Sequence, residues 1–313
     1  MQEFLRNHYS QHYDERHPDL DSTGEAQLIN SYIPIECPHC TSAAMKRNGR
    51  TANGVQRYKC SECKHTFTPI THTIFDNHKI SLSEWLEYTL NIFRYVSINA
   101  DSWNNKNAFT TSRYWLEKLF LVLRSYPATL KFEGKVWFDE TFYSVRSEDI
   151  ERTESGCKLR GLSSNQMCIG VLCDKNQTLC IFEGFGQPTK NVTYELFKDH
   201  IAVGSTIIHD KEKAHQKLVE KLQLKSISYD SRELKRYTDA DNPLQRVNHI
   251  HYLLKGFLYA HTSFNRDKLQ DYLNLFAFVM NPPSNHLEKV EIILELAIKT
   301  RIFLRYRDFY NVK

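Results

Sequence analysis

Two rhythms divide the chain. Between residues 81 and 130, apolar side chains recur at helical spacing. Trp85, Leu86, Leu90 and Phe93 follow Ser81-Leu82-Ser83-Glu84, a capping-box signature, and Trp115, Leu116, Leu119, Phe120 and Leu123 follow Thr110-Thr111. The polar stretch Asn99–Asn107 lies between them, so the pattern predicts two short helices joined by a polar turn, a helix-turn-helix-like unit. From Lys131 the period shortens to that of strands. Val136–Val145, Gln166–Cys173 and Thr178–Phe185 read as three consecutive strands, with Asp174-Lys175-Asn176-Gln177 as a hairpin turn. A helix (Thr193–Val203), a strand (Thr206–His209), a helix (Glu212–Leu222) and a strand (Lys225–Tyr229) then alternate. After a polar loop come helices at Pro243–Ala260 and Arg266–Met280, the latter ending before Pro282-Pro283, and an amphipathic tail at His286–Tyr310. A three-strand meander followed by alternating helices and strands predicts a mixed-sheet α/β fold, not a doubly wound parallel one.

Residues 1–30 show no clear period and read as a tail or loosely packed lead-in, with Ser22-Thr23 and Glu25 capping a short helix that ends near Tyr32. The resulting division is 1–32 lead-in, 33–78 cysteine module, 79–130 helical unit, 131–283 α/β domain and 284–313 C-terminal helix.

Composition adds bounds more than direction. A chain of 313 residues with 41% hydrophobic and 25% charged residues is ordinary for a globular protein. No apolar run approaches the roughly 20 residues that span a bilayer, and the polar start Met1–Arg6 is unlike a signal peptide. A cytoplasmic location without membrane partners is the expectation. The net charge of +4 alone implies no partner. Its distribution says more: Glu36–Lys79 holds seven basic residues against three acidic, whereas the first thirty residues hold six acidic against two basic. A local basic module is a reasonable phosphate-facing surface, although solvated charge on a small domain looks much the same.

The eight cysteines fall into two groups. Cys37-x2-Cys40 and Cys60-x2-Cys63 have the spacing of a zinc ribbon, in which two knuckles supply four thiolates to one tetrahedral ion. Gly49 and Gly54 suit turns, and Gln56-Arg57-Tyr58-Lys59 reads as a strand into the second knuckle. Cys157, Cys168, Cys173 and Cys180 lie in apolar segments and are expected to be buried small hydrophobes. Arg47, Arg50, Arg57 and Lys59 on the ribbon, with Arg113 and Lys118 on the second helix of the helical unit, are the candidate contacts to double-stranded DNA.

Two aspartates each close a short apolar run: Asp139 after Lys135-Val136-Trp137-Phe138, and Asp210 after Ser205-Thr206-Ile207-Ile208-His209. Carboxylates at strand ends brought together by a sheet hold divalent metal beside a phosphodiester. On the long helix that follows, Asn248 and Lys255 are seven apart and share a face with His251 and Tyr252 between them, while Val247, Ile250, Leu254 and Leu258 pack inward. Either aspartate alone would more often be a turn or cap residue. Glu140 rivals Asp139, and Asp230, Glu233, Asp239 and Asp241 are rival third carboxylates.

With these residues in view, the chain resembles the bacterial insertion-sequence transposases that pair an N-terminal zinc ribbon with an RNase H-like catalytic domain. The resemblance covers roughly residues 33–280. It rests on Cys37-Pro38-His39-Cys40, Gln56-Arg57-Tyr58-Lys59-Cys60, Thr66-Phe67-Thr68, Phe138-Asp139-Glu140-Thr141, Ile208-His209-Asp210, Val247-Asn248, Leu253-Leu254-Lys255 and Leu269-Gln270-x-Tyr272-Leu273. It implies a DD(E/N)K site in which Asp139, Asp210 and Asn248 form the catalytic triad and Lys255 is the accompanying cation. It further implies structural Zn in the ribbon, Mg or Mn on Asp139 and Asp210, strand cleavage at transposon ends, strand transfer into target DNA, and a homo-oligomer during synapsis. A domesticated, catalytically decayed DNA-binding protein is the alternative, and a standalone RNase H-like nuclease or resolvase is a third.

Overall fold

The computed structural model describes residues 22–76, 82–104, 107–261 and 264–311, together with Glu3. The cap expected at Ser81, the polar pair Asn105-Lys106 and most of the lead-in lie outside the described residues. The chain forms two compact units, one from residues 1–122 with 286–313 and the other from 123–285. No helix among the described residues is long and apolar enough to cross a membrane.

In the first unit, helix α1 (Ser22–Ser31) is a packed element and not a loose lead-in, because Ala26 and Ile29 are buried. Asn30 ties α1 to the neighbouring ribbon turn: its Nδ2 donates to the Gly54 carbonyl (3.1 Å) and its Oδ1 accepts from Gln56 N–H (2.7 Å). The ribbon is a three-stranded antiparallel sheet of β1 (Met45–Arg50), β2 (Gln56–Cys60) and β3 (Thr66–Phe67). Its core is little more than Cys37, Tyr58, Cys60 and Phe67, too small to hold a fold without a cross-link.

Three helices follow, not two: α2 (Leu82–Phe93), α3 (Ile98–Asn104) and α4 (Phe109–Leu123). The unforeseen α3 sits inside the polar stretch. Ser97 Oγ accepts from Ala100 N–H at its start, and Asp101, fully buried, accepts from Asn91 Nδ2 (3.1 Å) and Ser112 Oγ (3.2 Å), joining α3 to both neighbours. A buried polar staple thus holds a helix that apolar periodicity does not reveal. The tail forms two helices, α10 (His286–Lys299) and α11 (Tyr306–Asn311), instead of one. Both belong to this unit, and α10 packs on α2 with Val290, Ile293, Leu294 and Ala297 buried.

The second unit is a five-stranded mixed sheet: β4 (Lys135–Ser144), β5 (Gln166–Cys173), β6 (Thr178–Phe185), β7 (Thr206–Asp210) and β8 (Lys225–Tyr229), in the order β6-β5-β4-β7-β8. The meander β4-β5-β6 is antiparallel, and β7 and β8 add parallel to β4. This is the RNase H-like topology. The β5–β6 turn is fixed by Asp174, whose Oδ1 accepts from Asn176 and Gln177 N–H groups.

One face packs on α5 (Lys190–Phe197) and α6 (Gln216–Lys221), which run shorter than the periodicity predicts because a 3-10 turn at Lys213–His215 begins the second. Val136, Phe138, Leu179, Ile181, Ile207, Phe197 and Leu218 fill that layer. The other face carries α8 (Gln245–Ala260), which packs on β4 and β5 with Val247, Ile250, Leu254 and Leu258 buried. Between β8 and α8 lies the one-turn α7 (Ser231–Leu234). Helix α9 (Leu269–Met280) seals the edge strand. Gln270 accepts from Phe182 N–H (2.9 Å) and donates to the Cys180 carbonyl (3.2 Å), occupying main-chain groups that would template another strand. Cys168, Cys173 and Cys180 are buried as expected, but Cys157 is exposed in a turn closed by Thr153.

Candidate active site

Asp210 ends β7, as the pattern of apolar residues implies, but Asp139 does not end β4. It is the fifth of ten strand residues and faces Val171 across the β4–β5 ladder. What ends near it is the pairing to β7, which runs only from Lys135↔Thr206 to Trp137↔Ile208, while the pairing to β5 continues to Ser144. The two parallel strands therefore part beside Asp139. Strand alternation sets the faces. Val136 and Phe138 point into the α5–α6 layer, so Trp137 and Asp139 point to the α8 side, where Trp137 Nε1 donates to the Pro243 carbonyl (3.0 Å). The same parity places Asp210 with Asp139, and Glu140 with His209 on the opposite face. At the fork, oxygens of Asp139, Glu140 and Asp210 all lie within 4.8 Å of one another.

Such a cluster is costly without a cation. Burial, then the charges of Asp210 and Glu140, hold Asp139 well above the usual carboxylate range. Burial, followed by Asp210 and Glu212, pushes Glu140 to about 8. A divalent ion among these oxygens offsets the conflict at Asp139 and Glu140, and hard oxygen donors suit Mg²⁺ or Mn²⁺, so the residues fit the metal.

Behind the cluster runs a buried chain that the sequence reading missed. His215 Nε2 meets Glu140 Oε1 at 2.7 Å, His215 Nδ1 meets His209 Nδ1 at 2.9 Å, and His209 Nε2 meets Ser226 Oγ at 2.9 Å. Burial holds both imidazoles down to about 4. Glu183 stands on the same face, accepting from Thr193 Oγ1, and burial raises it to about 7. His209 beside Asp210, and Glu140 beside Asp139, were the available signals.

In the ribbon, the four Sγ atoms of Cys37, Cys40, Cys60 and Cys63 converge. Cys37–Cys63 and Cys40–Cys60 are each 3.6 Å apart. That is close to the roughly 3.8 Å edge of a tetrahedron of thiolates about 2.3 Å from one ion, and far from the about 2.0 Å of a disulfide. His39 N–H points at Cys37 Sγ (3.4 Å), as in a metal-binding knuckle.

Residues 32–64 match the InsA N-terminal zinc-ribbon family, and residues 131–281 match the ISXO2-like transposase domain. The chain belongs to the insertion-sequence transposases. It is also 24% identical over 285 residues to an uncharacterized protein in the transposable element ISH50 of Halobacterium salinarum, covering 84% of this chain and 92% of that one. Membership implies phosphoryl transfer on DNA with a divalent metal, and a zinc-binding ribbon.

The remaining expected site residues of this transposase fall in two classes. Asn248 and Lys255 are exposed on α8, flanking the buried His251, which lies against the main chain of Asp139. Tyr252, between them, is 74% exposed. Three of the rival third carboxylates have structural tasks, since Asp230 and Glu233 form the capping box of α7 and Asp241 closes a turn with Thr238, while Asp239 is exposed. On the ribbon Arg47, Arg50 and Arg57 are exposed and Lys59 is half-buried, while Arg113 is exposed on α4. Lys118 differs from its expected role as a DNA contact. It is buried, with Nζ donating to the Ile74 carbonyl (2.6 Å) and lying over the Tyr114 ring. Its four apolar neighbours on the chain, Trp115, Leu116, Leu119 and Phe120, face the core and take it inward with them.

Proposed function

We propose that this transposase cuts DNA strands at the ends of its element and joins them to target DNA, with Asp139 and Asp210 holding Mg²⁺ or Mn²⁺ at the scissile phosphate. The observation that supports this most is the convergence of Asp139, Glu140 and Asp210 at the fork between β4 and β7. When bound, the divalent ions lower the pKa of a water or a 3′-hydroxyl for in-line attack and neutralise charge on the leaving oxygen. Asp139 and Asp210 fix the geometry from two rigid strands. Asn248 offers only a neutral amide to DNA or water, and Lys255 brings a point charge to a phosphate. Arg47, Arg50, Arg57, Lys59 and Arg113 contact the duplex backbone, and pairing two DNA ends calls for a homo-oligomer in the reacting complex. The expected compartment is the cytoplasm.

The test is incubation of purified protein with Mg²⁺ or Mn²⁺ and a duplex carrying the inverted repeat that flanks its gene. Nicked and joined products support the reading. A second reading, a decayed transposase that only binds DNA, is favoured by one feature: the third position of the triad is an uncharged residue, Asn248. Tight binding without any nick in either metal would establish it.

A further inference from the structure

We propose that Glu140, and not Asn248, supplies the third protein ligand of the divalent-metal site, and that His215 and His209 hold its carboxylate in place. The inference rests on the reading that Asp139 and Asp210 hold the metal, and it concerns what completes their coordination.

Three observations carry it. First, the Glu140 carboxylate lies within 4.8 Å of those of Asp139 and Asp210, although strand alternation sends it to the other face of β4. The parting of β4 from β7 leaves a gap in the sheet plane that both faces can reach. Second, Glu140 is held from behind. Its side chain is 6% exposed and that of His215 is fully buried. One set of tautomers satisfies every bond in the chain: Ser226 O–H donates to His209 Nε2, His209 Nδ1–H to His215 Nδ1, and His215 Nε2–H to Glu140 Oε1. A buried hydrogen-bond chain that donates to one carboxylate oxygen leaves the other oxygen to the metal, the arrangement by which supporting shells orient ligating carboxylates. Third, the surroundings are built for added positive charge. Glu183 is buried on the same face, and its Oε1 has no hydrogen-bond partner among the described residues. It lies over Gly170, the cross-strand partner of Glu140, where a Cβ would come within 2.4 Å of that oxygen. Asn248, by contrast, is exposed and brings no charge.

The experiment is Mn²⁺ titration of the full-length, zinc-loaded protein without DNA, reading the paramagnetic resonance of the free aqua ion. Glu140→Gln is expected to weaken Mn²⁺ binding at least tenfold, and Glu140→Asp, which retracts the charge, several-fold. The second variant serves if the first does not fold. His215→Phe, which keeps the ring against Phe138 but loses the donor, is expected to weaken binding about tenfold. His215→Gln, which keeps an N–H, is expected to recover most of it. If Asp139→Asn abolishes binding while Glu140→Gln leaves it intact, the Glu140 assignment is overturned and the aspartate reading stands. If Asn248→Ala causes the loss instead, the third ligand is the amide. Binding unchanged in Asp139→Asn overturns the aspartate reading and this proposal together.

Discussion

Asp139 and Glu140 are consecutive in the chain and stand on opposite faces of β4, yet both carboxylates come within 4.8 Å of Asp210. The sheet achieves this because β7 stops pairing with β4 two residues before Asp139. The acidic centre is therefore a property of the fork, and displacing either strand dissolves it.

Replacing Asp139 or Asp210 by Ala is expected to lower DNA cleavage by about three orders of magnitude or more, the scale of removing a metal ligand at a phosphoryl-transfer centre. Binding to duplex DNA is expected to persist within a few-fold. A gel assay of nicking beside a mobility-shift assay decides it, and cleavage retained in Asp210→Ala would remove that residue from the mechanism.

One zinc per chain is expected by elemental analysis. Cys60→Ser, or exhaustive chelation, should unfold the ribbon, because metal binding worth roughly 10–16 kcal/mol in small zinc modules replaces the core this segment lacks. Retained protection of residues 45–67 from amide exchange in the metal-free protein would contradict this.

Combined replacement of Arg47, Arg50 and Arg57 by Ala is expected to flatten the salt dependence of DNA binding by about 0.9 in log–log slope for each lost phosphate contact. Lys118→Met should leave the slope unaltered, since that amine is bonded to the Ile74 carbonyl inside the unit. A slope that falls in Lys118→Met and holds in the arginine variant would reverse the assignment.

Burial lowers Lys118 to about 8 from an ordinary 10.5. Between these values the unfolded chain keeps a proton that the folded chain has shed, so this residue makes stability rise with pH from about 8 to about 10.5. Below pH 8 the charged amine is carried at a cost of up to about 3 kcal/mol. Chemical denaturation at pH 7 and pH 10.5 should show that rise in the parent and a smaller one in Lys118→Met. Parallel curves would dismiss the effect.

Gly170→Ala is expected to destabilise the second unit by about 1–3 kcal/mol, since the new methyl would lie 2.4 Å from Glu183 Oε1 and 2.7 Å from Phe197 Cζ. An unchanged melting temperature would mean that Glu183 turns aside freely.

How much of this was legible in the sequence depended on whether the determinant was local. Gln166–Cys173, Thr178–Phe185 and Lys225–Tyr229 read correctly to the residue because strand period, turn chemistry and β-branched content agree there. Asp139 and Asp210 were visible as carboxylates closing apolar runs. Glu140 was visible only as a rival to its neighbour, because its placement depends on the fork and on His215, 75 positions away. Helix α3 hides in a polar stretch because its anchor, Asp101, is a buried acid. Lys118 looked like a surface cation because its partner inside the unit, the Ile74 carbonyl, lies 44 positions away in the chain.

Helix α10 covers α2 although nearly two hundred residues separate them. The helical unit consequently cannot close until translation has passed through the entire catalytic segment. In chain order the last strand of the sheet is complete before the segment that covers α2 begins. A chain that stops after residue 285 keeps the whole sheet but lacks α10, so α2 loses the cover of Val290, Ile293, Leu294 and Ala297.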